Sequence, residues 1–168
     1  PDIHDWLTST LKEGSKVGID PTVHTIDAAE ALKKHLEEAD IELVSLEVNP
    51  VDTAWGDSRP DAPKAGLRIH DMKWAGASPS EKIQNMRAEM KDAGAKALAV
   101  TMLDEVAWLL NLRGSDVSYN PVFMSYVLIT DTTAQLFVDE AKIDDAIAAH
   151  LKDAGVEVRP YEEAFDAV

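Results

Sequence analysis

Arg113, Gly114, Ser115 and Asp116 stand in succession and are followed by Asn120-Pro121, so a cation, a hydroxyl and a carboxylate fall within one turn of chain. Ser115 would serve acyl transfer from a nucleophile elbow, but that needs Gly-x-Ser-x-Gly, which does not occur; Arg-Gly-Ser-Asp reads as a turn. Arg113 and Asp116 are spaced to pair across Gly114 and fix that turn. With Asn120 they are also placed to offer polar groups to a neighbouring domain or a peptide, and both readings stay open. The five histidines, at 4, 24, 35, 70 and 150, show no i, i+4 pair enclosing a Glu and no metal-ligand spacing. His35 and His150 fall in helical segments among charged neighbours and read as surface residues. His70-Asp71 is the one His–acid pair to watch, with a structural role the simpler reading. Asp104 and Glu105 are adjacent, so a helix sends them to different sides. In a first helical turn they complement the helix dipole without doing chemistry. Neither Gly-x-Gly-x-x-Gly nor Gly-Lys-Ser/Thr is present, which disfavours nucleotide binding.

The elements that must position these residues belong to a chain of 168 residues, 45% hydrophobic and 28% charged, a globular balance with room for a sizeable core. No apolar run approaches the roughly 18 residues of a membrane span. The first residues, Pro1 to Trp6, lack the basic and apolar regions of a signal peptide. A start at Pro1 without Met is expected of a processed chain or an excised fragment. The absence of cysteine removes disulfides, thiolate metal sites and cysteine nucleophiles, and fits a reducing compartment. A net charge of −15 repels polyanions, so nucleic acid is not an expected partner, nor is a membrane.

Ile3, Trp6, Leu7 and Leu11 recur at helical spacing behind Asp2, and Gly14 ends that helix. A short strand is expected at 16–19 and a second helix from Thr25 or Ile26, with Ala28, Ala29, Leu32 and Leu36 inward. Ile41 to Leu46 alternates as a strand. Asn49 to Gly76 is rich in Pro and Gly, holds at most one helical turn at Pro50–Trp55, and is long for a loop. Ser78-Pro79-Ser80-Glu81 is a capping box opening a helix that Gly94 ends. Ala97 to Met102 reads as a central strand covered on both faces. A helix from Leu103 to Asn111 follows, with Trp108 in the core. A hairpin of Val122–Thr130 and Ala134–Val138 comes next, then a helix at Ile143–Ala154 and a strand at 156–159. Tyr161 to Val168 reads as the start of another helix. Six strands and about five helices, alternating and then closing in a hairpin, predict an α/β fold. The specific expectation is a three-layer α/β/α sandwich on a six-stranded mixed sheet, with residues 1–168 as a single domain.

The run Leu103-Asp104-Glu105-Val106-Ala107-Trp108-Leu109-Leu110-Asn111-Leu112-Arg113-Gly114-Ser115-Asp116, with Asn120-Pro121-Val122, resembles the middle domain of the long, three-domain Xaa-Pro aminopeptidases. Val17-Gly18-Ile19-Asp20-Pro21, Trp55-Gly56-Asp57-Ser58-Arg59-Pro60, Val138-Asp139 and Arg159-Pro160-Tyr161 fit in the same order. The resemblance implies a creatinase-N-terminal-like fold. It also implies a parent hydrolase that removes the N-terminal residue from peptides with proline second, mostly cytosolic and acting as a homodimer. That parent's pita-bread catalytic domain would hold two manganese ions and lie downstream of the region matched. No catalytic residue, metal ligand or cofactor is therefore carried over to this segment.

The segment is accordingly expected to be a non-catalytic structural domain whose partners are its parent's first and catalytic domains, with peptide substrates reaching the parent enzyme. Arg113, Asp116 and Asn120, with Trp55, Arg59 and His70 from the long connection, are the candidate interdomain or substrate-access contacts. The competing expectation is a free-standing small-molecule or peptide-binding module using the C-terminal ends of parallel strands. A deep polar pocket there would favour the module, and exposed apolar patches the domain contact.

Overall fold

The computed structural model describes residues 2–167. Its contacts gather into two compact units, Pro1–Asp61 and Ala62–Val168.

In the first unit, α1 (Ile3–Thr10) starts at Asp2, whose side chain accepts the His4 N–H. Strand β1 (Lys16–Ile19) pairs in parallel with β2 (Glu42–Ser45), and α2 (Ile26–Glu37), capped by Thr25, crosses between them. Of the expected α2 stripe, Leu32 and Leu36 are buried with Ile19 and Ile41, and Ala29 packs against them with Leu7 and Leu11, whereas Ala28 is exposed. The single helical turn expected in the connection is α3 (Pro50–Trp55), which Asn49 caps.

The second unit opens with β3 (Arg68–Ile69) and α4 (Met72–Ala75), two short elements that the Pro- and Gly-rich sequence did not announce. Asp71 caps α4 by accepting the Lys73 N–H, which also lowers the Asp71 carboxyl below the ordinary range. Helix α5 (Pro79–Asp92) carries the full capping box expected at Ser78 and Glu81. Then follow β4 (Ala97–Val100), α6 (Leu103–Leu109), β5 (Leu112–Arg113), β6 (Ser125–Thr130), β7 (Ala134–Val138), α7 (Asp145–Asp153) and β8 (Glu157–Pro160). β3 and β5 form an antiparallel pair. The main sheet runs β4-β6-β7-β8, antiparallel except for the parallel β7–β8 pair.

The mixed α/β character holds, but a six-stranded sheet does not appear among the described residues. Eight strands fall into sheets of two, two and four, because β1 and β2 serve a core of their own. Nor is β4 central. It ends the strand order, and its residues alternate between exposed and covered instead of being buried throughout. Ala97 and Ala99 are small enough to leave that pattern hidden in an apolar run. The layering also departs from expectation. Ile83 of α5, Val106 of α6 and Ile147 of α7 join Val127, Ile129, Leu136 and Val138 in one core on one sheet face. The opposite face carries a smaller cluster of Leu128, Phe137 and Ala164, with Tyr126 against it. Side chains alternate across a strand, so β6 and β7 feed both.

Candidate domain-contact site

Helix α6 ends where Asn111 takes a left-handed backbone, φ +51, a conformation Asn tolerates better than most residues. A helix leaves its last carbonyls unpaired and its C-terminus partly negative. Three basic side chains meet that need. Arg113 donates to the Ala107 carbonyl at 2.8 Å, Lys82 to that of Trp108 at 2.7 Å, and His150 Nε2 to that of Leu110 at 2.8 Å. His150 is therefore half-buried and engaged, where the sequence reading left it on the surface.

Asn111 is 2% exposed and uses its whole side chain. Its Oδ1 accepts from Lys82 at 2.7 Å, and its Nδ2 donates to the Ala77 carbonyl at 2.9 Å and reaches the Met72 sulfur at 3.7 Å. The His70 N–H donates to the Asn111 carbonyl at 2.7 Å, so the His70 backbone belongs to this junction. Lys82 is 4% exposed, and its ammonium lies 4.4 Å from the centre of the Trp108 ring. Burial, then the charge of Arg113, lowers the Lys82 amine below its ordinary range; burial, then Arg68, lowers the Arg113 guanidinium. Trp108 is half exposed, not core, because its ring covers Lys82 from outside.

The expected Arg113–Asp116 pair does not form. Arg113 turns back to the carbonyls of Ala107 and Leu112. The wholly buried Asp116 carboxylate takes Lys142 at 2.6 Å and the Met124 N–H at 2.7 Å. Losing one partner of such a buried pair typically costs about 3–5 kcal/mol. Asp116 is thus an anchor and presents nothing to a neighbour. Beyond it the chain makes a tight excursion in which Val117 bridges Asn120, and the exposed Tyr119 sits at φ +63. Asn120 is exposed and contributes backbone, its carbonyl accepting from the Val122 N–H at 2.8 Å.

Trp55 and Arg59 lie in the first unit. Arg59 stacks 5.9 Å from the centre of the half-exposed Trp55 ring and pairs with Asp52 at 2.8 Å. Sequence reasoning missed Lys82, Arg68, Asn111 and Lys142. Lys82 alone carried a legible signal: it stands four residues before Met86, on the buried stripe of α5.

A groove of about 540 Å³ runs along α5 beside Lys82, Met86, Met90, Leu98 and Trp108. Its walls are largely apolar. Among the described residues no three His, Cys, Asp or Glu side chains are gathered to hold a metal.

A family model described as Creatinase/Prolidase N-terminal domain matches residues 58–168, essentially the second unit. The chain is 44% identical to Aminopeptidase P2 of Arabidopsis thaliana, covering 100% of this chain and 24% of that protein. It is 42% identical to a probable Xaa-Pro aminopeptidase P of Aspergillus niger, over 98% of this chain and 27% of the relative. Among solved structures, the X-prolyl aminopeptidase of Caenorhabditis elegans, described as a cytosolic enzyme with a di-nuclear active site, superposes with a TM-score of 0.88 at 36% identity. That alignment covers 99% of this chain and 27% of the worm protein. The chain thus spans about a quarter of the length of the relatives it matches.

Proposed function

Because the chain belongs to the creatinase/prolidase N-terminal domain family, we propose that it works as a non-catalytic structural part of an Xaa-Pro aminopeptidase. In this reading residues 1–168 are the middle region of the parent, with the family-matched unit as its domain core. They position the first and catalytic domains and limit entry to short peptides with a free N-terminus. The parent removes the residue ahead of a penultimate proline, uses two manganese ions held outside this segment, acts as a homodimer and resides in the cytoplasm. The observation that carries the reading is coverage: nearly all of this chain aligns with about a quarter of each relative. The apolar groove and the half-exposed Trp108 suit a surface covered by protein. Arg113, Asn120 and His70 on the second unit and, separately, Trp55 and Arg59 on the first are the contact residues of this reading, and Asp116 holds the turn after Arg113 from within.

The test is an assay of residues 1–168 on an Xaa-Pro peptide with added manganese. No turnover is expected, while hydrolysis that survives rigorous purification would overturn the reading. In the parent enzyme, Trp108→Ala should change KM for longer peptides more than for a dipeptide. Equal effects on both would remove the access role.

A further inference from the structure

Three cations, Arg68, Arg113 and Lys82, gather near the end of α6 with no acid paired to them among the described residues. Arg68 and Arg113 are directly opposite in the β3–β5 pair, so their side chains leave the same face. Lys82 is near enough to Arg113 for the two charges to perturb each other. The chain carries 31 acidic residues against 16 lysines and arginines. Yet among the described residues none of these three cations has a carboxylate within ion-pair distance, whereas Lys16, Lys33, Arg59, Lys73, Lys142 and Arg159 each do. The helix carbonyls offset only part of the charge, since a helix C-terminus is worth about half an elementary charge. Arg68 is exposed and takes no share in that carbonyl set. Like charges directly opposite in an antiparallel pair destabilise it, so this arrangement costs stability unless an anion completes it.

The surroundings favour a protein surface over a small anion. Trp108 and Met72 are each about half exposed and border the same junction, through Lys82 and Asn111. Arginine, tryptophan and methionine are the residues enriched where proteins bury surface against each other. We propose that Arg68 and Arg113, with the buried charge of Lys82 behind them, form a carboxylate-binding face that docks an Asp- or Glu-bearing segment of the same polypeptide lying outside residues 1–168. This rests on the reading that the chain is one part of a longer enzyme, and it names the chemistry of the contact.

The experiment uses the longest natural polypeptide containing this chain, with Arg68→Lys. Arg68 is exposed, so the change keeps the charge and spares the fold. It also supplies an amine that a carbodiimide joins to a carboxylate in direct contact. Peptide mapping should show an amide from position 68 to an Asp or Glu beyond residues 1–168, absent from the unsubstituted protein. The denatured product should run at the mass of a single chain. No linkage at position 68, a linkage to an acid within 1–168, a doubled mass from a second copy, or a linkage only at saturating protein concentration would each overturn the proposal. Turnover of an Xaa-Pro peptide by an Arg68→Glu variant separates this contact from the positioning role. A mapped linkage with undiminished turnover leaves the contact standing and removes the role, whereas lost turnover without any linkage does the reverse.

Discussion

At the scale of the residue, Lys82 does the most unusual work. Its ammonium is nearly enclosed, stacked on Trp108 and bonded to two oxygens, and burial lowers its amine from the ordinary lysine value of 10.5. Between that depressed value and 10.5 the unfolded chain holds more protons on Lys82 than the folded chain does. Stability therefore rises with pH through this window, and the cost of the buried charge is fully present below it. Tyr161 acts in the opposite sense. Burial and the Tyr126 hydroxyl raise its phenol above the ordinary 10.0, so its contribution is lost as pH climbs past 10. Urea unfolding of the wild type and of Lys82→Gln should therefore diverge in slope between neutral pH and about pH 10, the variant being flatter. Parallel curves would mean that the amine is not enclosed. The place of Lys82 on the α5 stripe signalled burial but not its partners, because only the Asn111 turn, 29 residues on, makes the enclosure.

At the scale of the element, the turn after β5 depends on an absence. A Cβ at Gly114 would lie 2.6 Å from the Phe123 Cβ and 2.9 Å from the Val122 carbonyl oxygen, neither of them a flexible side-chain end. Gly114→Ala should destabilise the protein by about 1–3 kcal/mol through overpacking, read as a lower urea midpoint at unchanged slope. A neutral result would show that this approach relaxes freely. Helices, caps and the hairpin were legible here because each has a local cause: the Ser78 box, the α2 stripe, the Asp131-Thr132 turn between β6 and β7. Sheet membership was not. Whether an apolar run such as Ala97–Val100 is central or terminal depends on which strands arrive beside it, and spacing along one strand carries no such information. The pairing of Asp116 was hidden for the same reason, since Lys142 lies 26 residues on while Arg113 is close in sequence.

At the scale of the whole molecule, the boundary between the two units falls in an exposed stretch. Residues 60–66 are all exposed and belong to no helix or strand. Brief trypsin treatment should cut first after Lys64, leaving 65–168 as a persistent fragment by mass spectrometry. Early cuts within α5 or α7 would mean that the second unit is not a stable body. The family resemblance was legible in the Leu103–Asp116 run, but the boundary between the two units was not, because helix and strand alternate across it without a change of rhythm. One earlier feature bears on how such a chain behaves in a tube. β4 ends the sheet order, and among the described residues its outer backbone groups meet no strand. An open edge is a template on which identical molecules can add one to another. Here the edge is only four residues long, follows Lys96, and belongs to a molecule of net charge −15. Mutual repulsion keeps copies apart in dilute salt, but its reach shrinks from about 10 Å at 0.1 M to about 3 Å at 1 M. Added salt should therefore let the exposed edges of neighbouring molecules approach, so the chain's tendency to self-associate rises with ionic strength.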